Sequence, residues 1–248
     1  KQLTGGAPAR RALCLCFYKR LENVRTNGRP APSSGLDGPN TPDFIRGNRR
    51  NLSISIECEG NPLHRLTRRL RNCIPLPRYE HSLRVAEMGE HLAEIWGAPR
   101  LETVQACLLH DCARDLPRNI LLKWGVEFGI IISEIEYYFP VLLHAPVGAE
   151  FARRKYGITD ERVLDAIRWH TTGRATMSLL EKITLLSDYT EDGRSFPGIE
   201  RVRALLAKDL DEALLVAFDQ KVSYMLQMSW PVHPSTIEAR NWLVLNRD

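Results

Sequence analysis

No run of apolar residues in this chain is long enough to cross a bilayer, so a helical membrane span is not expected. The six cysteines, at positions 14, 16, 58, 73, 107 and 112, are not spaced as the disulfide framework of a small secreted domain. Cys14-Leu15-Cys16 lacks the two-residue spacer of a zinc knuckle. Cys107 and Cys112 fall in an apolar stretch, where a reduced thiol behaves as a small hydrophobe. No basic start, apolar run and small-residue cleavage site marks a secretory signal, and a reducing cytoplasm is the expected compartment. The chain opens on Lys1 rather than methionine, as a fragment or a processed protein would. After residue 62 there is no β alternation of any length, and no internal repeat.

What is present divides unevenly. Residues 1–77 hold 14 Lys and Arg against 5 Asp and Glu, whereas residues 78–248 hold 20 against 25. The basic excess therefore lies in a leader. Residues 1–61 carry 12 Gly or Pro, interrupted by Ala12 to Tyr18 and by the strand-like alternation of Leu52, Ile54 and Ile56. A poorly ordered extension, or the remnant of another domain, is the reading for 1–61. A basic leader suits nucleic acid or anionic lipid. A solvated, poorly ordered Arg-rich tail explains it more simply, so nucleic acid is not the expected partner.

From Pro62 to Asp248 the texture predicts one all-α domain. Leu83, Val85, Met88, Leu92 and Ile95 form a helical stripe over Arg78 to Trp96, stopped by Gly97. Further helices are expected over Leu101 to Cys112, Val141 to Tyr156, Thr159 to His170 and Asp209 to Met228. Ser178 to Glu181 and Ser235 to Glu238 match the capping box, opening helices that run to about Tyr189 and Leu245.

Seven histidines are present, and four stand in distinctive strings that also hold two aspartates. These are RYEHSLRVAEM with His81, CLLHDCARDLP with His110 and Asp111, LLHAPVGAEF with His144, IRWHTTGR with His170, and LLSDYTE with Asp188. Histidine with carboxylate is the ligand set of divalent metals that carry out hydrolysis. A lone histidine on a helix is more often a satisfied core or surface residue, and His64, His91 and His233 are read that way. The pair His110-Asp111 is different: it ends the apolar run Ala106 to Leu109, where a buried charge is costly unless paired or metal-bound.

His81, His110-Asp111 and Asp188 resemble the H…HD…D signature of HD-domain metal-dependent phosphohydrolases. With MSLLEKI, DEAL and HPSTIEARNWL added, the strings resemble, in order, the blocks of the YqeK branch, the symmetrical bis(5'-nucleosyl)-tetraphosphatases. The resemblance covers roughly residues 62–246 and not the leader. It implies an HD-domain helical bundle, a homodimer, and an iron-type dinuclear centre in which manganese or cobalt could substitute. His81, His110, Asp111 and Asp188 would hold one metal; His144 and His170, with Asp111 bridging, would hold the second. Six ligands are too many for one tetrahedral zinc with an open position, and they suit two metals sharing a carboxylate. Ser187, Thr190, Asp192, Cys112 and Arg114 depart from residues common in the branch, and none removes a ligand.

The substrate implied is diadenosine tetraphosphate, cut symmetrically into two ADP, with metal-bound hydroxide rather than a side chain as nucleophile. Cationic and hydroxyl donors are then expected around the phosphates. Arg78 lies one turn before His81, and Thr171, Thr172 and Arg174 follow His170. Arg240 and Asn241 would complete the pocket. Asp115 is expected either to orient a ligand imidazole or to protonate the leaving group. Two alternatives stand beside this reading. One is an HD phosphatase acting on another nucleoside phosphate; the other is a nucleotide- or RNA-binding module working through the leader.

Overall fold

The helix signals after residue 62 become eleven α-helices and one 3-10 turn in the computed structural model, which describes residues 62–247. The expected extension at 1–61 lies outside the described residues. In chain order the elements are α1 (Pro62–Arg71), α2 (Leu76–Trp96), α3 (Arg100–Leu109), α4 (Arg118–Glu127) and α5 (Glu134–Tyr138). The 3-10 turn Pro140–Leu143 follows, then α6 (His144–Tyr156), α7 (Glu161–Trp169), α8 (Leu179–Thr190), α9 (Ile199–Arg203), α10 (Leu210–Gln227) and α11 (Pro234–Leu245). No strand occurs among the described residues, and no described helix is long and apolar enough to cross a membrane.

α2 begins with Pro77 in its first turn, where the missing N–H has no intrahelical partner to lose. It stops at Gly97, whose left-handed backbone (φ 67°) turns its N–H onto the Ala93 carbonyl. His81, Val85, Met88 and Leu92 share the buried stripe, so the first candidate ligand faces inward because its helical row does. α3 packs along α2 where Gly89 meets Cys107; any side chain at 89 would collide with the Cys107 sulfur. That close approach sets the depth of α3 and brings the end of α3 beside His81.

Three expected boundaries shift, each for a local reason. The span 141–156 is not one helix: a 3-10 turn closes at Leu143, and α6 starts at His144 with Pro146 in its first turn. α3 ends at Leu109, leaving His110 at the cap and Asp111 in the following turn. The capping box forms at Ser178 and Glu181, but not at Ser235 and Glu238. There Pro234 takes the first helical position, and His233 caps α11 by accepting the Ser235 N–H at 3.2 Å. A box that sequence reading passed over, Ser133 with Glu136, opens α5.

The helices bury two apolar clusters. One gathers α1, α3, α6 and α7 around Leu108, Leu109, Leu143, Val147 and Ile167. The other gathers α8, α10 and α11 around Leu186, Leu214 and Phe218. α2 and α8 contribute to both, through Val85 and Leu92 and through Leu180 and Ile183. His81 and Asp188 are carried by these two shared helices. Cys107 and Cys112 are buried free thiols, as expected, and burial pushes both up to about 12.

Candidate metal centre

Three of the four histidines are placed by the same device. His110 follows the last residue of α3, His144 follows the 3-10 turn, and His170 follows the last residue of α7. At such an end a carbonyl keeps a lone pair free to accept a further hydrogen bond. Each imidazole folds back and donates its Nδ1–H to the carbonyl three residues earlier: His110 to Cys107 at 2.7 Å, His170 to Ile167 at 2.7 Å, and His144 to Val141. The hydrogen bond selects the tautomer and leaves each Nε2 lone pair facing inward. His81 lies within α2, where the carbonyls are already used. Its Nδ1 instead meets Glu191 Oε1 at 3.3 Å. Glu191 is in turn held by Arg84 Nε and the Gly193 amide, each at 2.6 Å.

The four Nε2 atoms converge in two pairs. His81 and His110 face each other at 3.2 Å, as do His144 and His170. Asp111 stands between the pairs. Its Oδ2 is 3.8 Å from His81 Nε2 and 3.6 Å from His110 Nε2; its Oδ1 is 3.2 Å from His144 and 3.5 Å from His170. Asp188, in the last turn of α8, places Oδ1 3.1 Å from His81 Nε2 and 3.7 Å from His110 Nε2. Arg194 Nη2 holds that same oxygen at 2.7 Å. All six residues are at most 5% exposed.

The electrostatics suit a cation. Burial pulls His110 down to about 3 and, with the nearby Arg114 charge, His144 down to about 4, so both are neutral ligands at neutral pH. Burial would raise Asp111, but His110, the adjoining imidazoles of His144 and His170, and Arg78 hold it well below the usual carboxylate range. Asp188 is likewise held low against burial by Arg194 and His81. Burial opposes a charge on His81, yet hydrogen bonds to Asp188 and Glu191 outweigh it and raise its pKa. Ionised carboxylates beside inward-facing imidazole nitrogens are what a divalent metal requires, so this donor set fits one. Two groups have ligand atoms within 4.8 Å of one another: His81, His110 and Asp188, and His110, Asp111 and His170. His110 is common to both, but one nitrogen lone pair serves one metal. Asp111, with an oxygen toward each pair, is the group chemically able to be shared.

The other candidate residues are distributed differently. Arg78 reaches the centre, with Nη1 2.7 Å from Asp111 Oδ2 and Nε 3.2 Å from Asp115 Oδ2. Asp115 touches none of the imidazoles. The imidazole-orienting role expected of it is filled by Glu191 and by main-chain carbonyls. Thr171 is at the centre, its hydroxyl 3.1 Å from His144 Nε2 and 3.0 Å from His170 Nε2. The turn that holds it needs Gly173, which has φ 67° and sits where a Cβ would lie 2.5 Å from Phe218 Cζ. Arg174 leaves that turn in the other direction, bonding Glu181 Oε1 at 2.7 Å and Asp165 Oδ2 at 3.2 Å. Arg240 pairs with Asp219 at 2.5 Å, and exposed Asn241 accepts from Arg240 at 3.3 Å. The structure does not bring Arg174, Arg240 or Asn241 to the histidines.

Two clefts open beside the centre. The first, reached past His144, Thr171 and Thr172, is walled by Phe139, Trp230 and His233. The second, reached past His170, Asp188 and Arg194, is walled by Tyr189, Phe196 and Tyr224. Lys221 of α10 lines both. Sequence reading missed Glu191, Arg194 and Lys221. The first two lie three and six positions after Asp188, a spacing that offered a signal; Lys221 sits in no recognisable string.

Comparison with known proteins places this geometry. The HD domain pattern matches residues 78–213. The symmetrical bis(5'-nucleosyl)-tetraphosphatase of Halalkalibacterium halodurans is 39% identical over 170 residues, spanning 68% of this chain and 90% of that protein. The enzyme of the same name from Bacillus subtilis is 38% identical, spanning 67% and 89%. The crystal structure of a predicted HD superfamily hydrolase involved in NAD metabolism from Clostridium acetobutylicum superposes with a TM-score of 0.72 at 38% identity, covering 74% of this chain and 97% of that one.

Proposed function

Because this chain belongs to the HD-domain family, in the branch of the symmetrical bis(5'-nucleosyl)-tetraphosphatases, we propose that it hydrolyses diadenosine tetraphosphate into two ADP. One observation carries the reading: two inward-facing histidine pairs share a single buried carboxylate, Asp111. That arrangement supports a two-metal centre held by His81, His110, Asp111, His144, His170 and Asp188. Iron is the proposed occupant, with manganese or cobalt as substitutes. Bound divalent metals would activate water near neutral pH and polarise phosphoryl oxygens.

The chain's own groups do the rest. Arg78 holds Asp111 Oδ2 and Asp115 together, and its partly exposed guanidinium stands at the centre's edge, where phosphoryl charge develops. Asp115, more exposed than Asp111 and one turn beyond it, is the proposed proton donor to the departing diphosphate. Thr171 and Thr172 are the proposed hydroxyl donors to phosphate, on the side of the first cleft. Arg174, Arg240 and Asn241 would contribute only after leaving their present partners. A reducing cytoplasm and a homodimer complete the proposal, read from the unpaired thiols and from the family resemblance.

The test is chromatographic. Protein is incubated anaerobically with Fe(II), Mn(II) or Co(II) and diadenosine tetraphosphate, beside an Asp111→Ala control. ADP as sole product, absent from the control, is the expected outcome. AMP with ATP would move the cleavage point, and no turnover with any metal would return the substrate to another phosphate ester.

A further inference from the structure

The two aromatic-walled clefts meet at one side chain. Lys221 is the single residue common to both linings. Its ammonium donates to the main-chain carbonyl of Thr171, while the hydroxyl of Thr171 points the other way, onto His144 and His170. The positive charge therefore stands one residue's breadth from the histidine cluster, at the seam between the clefts.

Its state of pairing sets it apart from the arginines nearby. Arg78 is bound to Asp111 and Asp115, Arg194 to Asp188, Arg174 to Glu181 and Asp165, and Arg240 to Asp219. Lys221 forms no ion pair among the described residues, and the Thr171 carbonyl occupies one of its three N–H donors. Burial brings the ammonium down to about 8, so it still carries its charge at neutral pH. A partly buried cation without a carboxylate is unfavourable, and a phosphate oxygen bound to it removes that penalty.

The clefts supply the other half of the argument. Phe139, Trp230 and His233 on one side, and Tyr189, Phe196 and Tyr224 on the other, offer flat apolar faces of the kind that receive a nucleobase. A dinucleoside tetraphosphate has a base at each end and its negative charge in the middle. We propose that Lys221 is a substrate-positioning residue that takes a phosphate oxygen at the seam, so that one nucleoside enters each cleft and the central phosphates lie over the histidine–aspartate cluster. This rests on the reading of the centre as a dinucleoside tetraphosphate hydrolase.

The test uses metal-loaded wild type, Lys221→Met and Lys221→Arg. Affinity is measured by calorimetry for diadenosine tetraphosphate carrying a methylene in place of the central bridging oxygen. Rates are measured on the natural dinucleotide. Lys221→Met is expected to raise Kd and KM by about 10- to 100-fold, the range of a charged hydrogen bond, with kcat changed only a few-fold. Lys221→Arg should regain most of the affinity, and both variants should melt near the wild-type temperature. Trp230→Ala and Tyr224→Ala should each weaken the analogue, one from either cleft. Unchanged affinity in Lys221→Met overturns the proposal, as does a fall in kcat and melting temperature with KM unmoved. An effect of only one aromatic variant overturns the two-sided placement. If wild type binds the analogue but releases no ADP, the hydrolytic reading fails and the Kd comparison still decides Lys221. If wild type does not bind the analogue, both fail.

Discussion

The two histidine pairs have the same 3.2 Å separation and are fastened in different ways. His144 and His170 hang from main-chain carbonyls, with the Thr171 hydroxyl across their inner edge. His81 and His110 are backed on one side by charge: Glu191 behind His81, Arg84 behind Glu191, and Arg194 behind Asp188. Backbone support is rigid and cannot be altered by replacing the side chain that supplies it. Charged support makes the ligand more basic and can be tuned by substitution or by pH. One half of the centre is therefore set by helix ends alone, and the other combines the helix-end carbonyl behind His110 with a chain of side chains behind His81.

The largest effect should come from the one group that serves both halves. Asp111→Ala is expected to lower turnover by on the order of 10³-fold or more and to empty both metal positions, measured by product release and elemental analysis. Retention of one tightly held metal would show the halves to be independent. Glu191→Gln should separate them: affinity at the His81 side falls by about 10- to 100-fold while the other side is unchanged. A metal titration with one weakened and one intact event sharpens the comparison; two equally weakened events break it.

A smaller effect appears in the metal-free protein. Burial would raise Glu191, but hydrogen bonds from His81 and Arg84 bring it from its ordinary 4.5 down to about 2. A carboxylate depressed by folding stabilises fully above its unfolded value, and that stability is lost as pH falls from about 4.5 toward 2. Melting temperatures across this window should decline less steeply in Glu191→Gln than in wild type. An identical slope would mean that the charged chain behind His81 carries no net stability. The smallest effect lies outside both halves: removing residues 1–61 should leave activity within a few-fold. A large loss in that assay would make the leader part of the domain.

The six cluster residues were readable because their types are rare and their strings distinctive, and the structure brings all six together. Helix positions were readable for a different reason. Periodicity and caps act within a few residues, so Gly97 and Ser178 mark boundaries without reference to the rest of the fold. Where two local signals competed, the stiffer one prevailed: Pro234 set the start of α11 ahead of the Ser235 hydroxyl. The cations proposed to meet phosphate were harder to read. Arg174 stands four residues after His170, yet Glu181 and Asp165 hold it, while Lys221, fifty residues from Thr171, reaches the Thr171 carbonyl.

From sequence alone came an all-α domain and the candidate donor atoms of a metal centre, because helix formation and ligand chemistry are local properties of residue type and spacing. The tertiary structure decided which way each imidazole faces, that Glu191 rather than Asp115 stands behind His81, and that Lys221 lines both clefts with no ion pair among the described residues. Those outcomes depend on carbonyls and carboxylates brought in by other helices, and a long side chain pairs with the nearest of them in space, whatever its place in the chain.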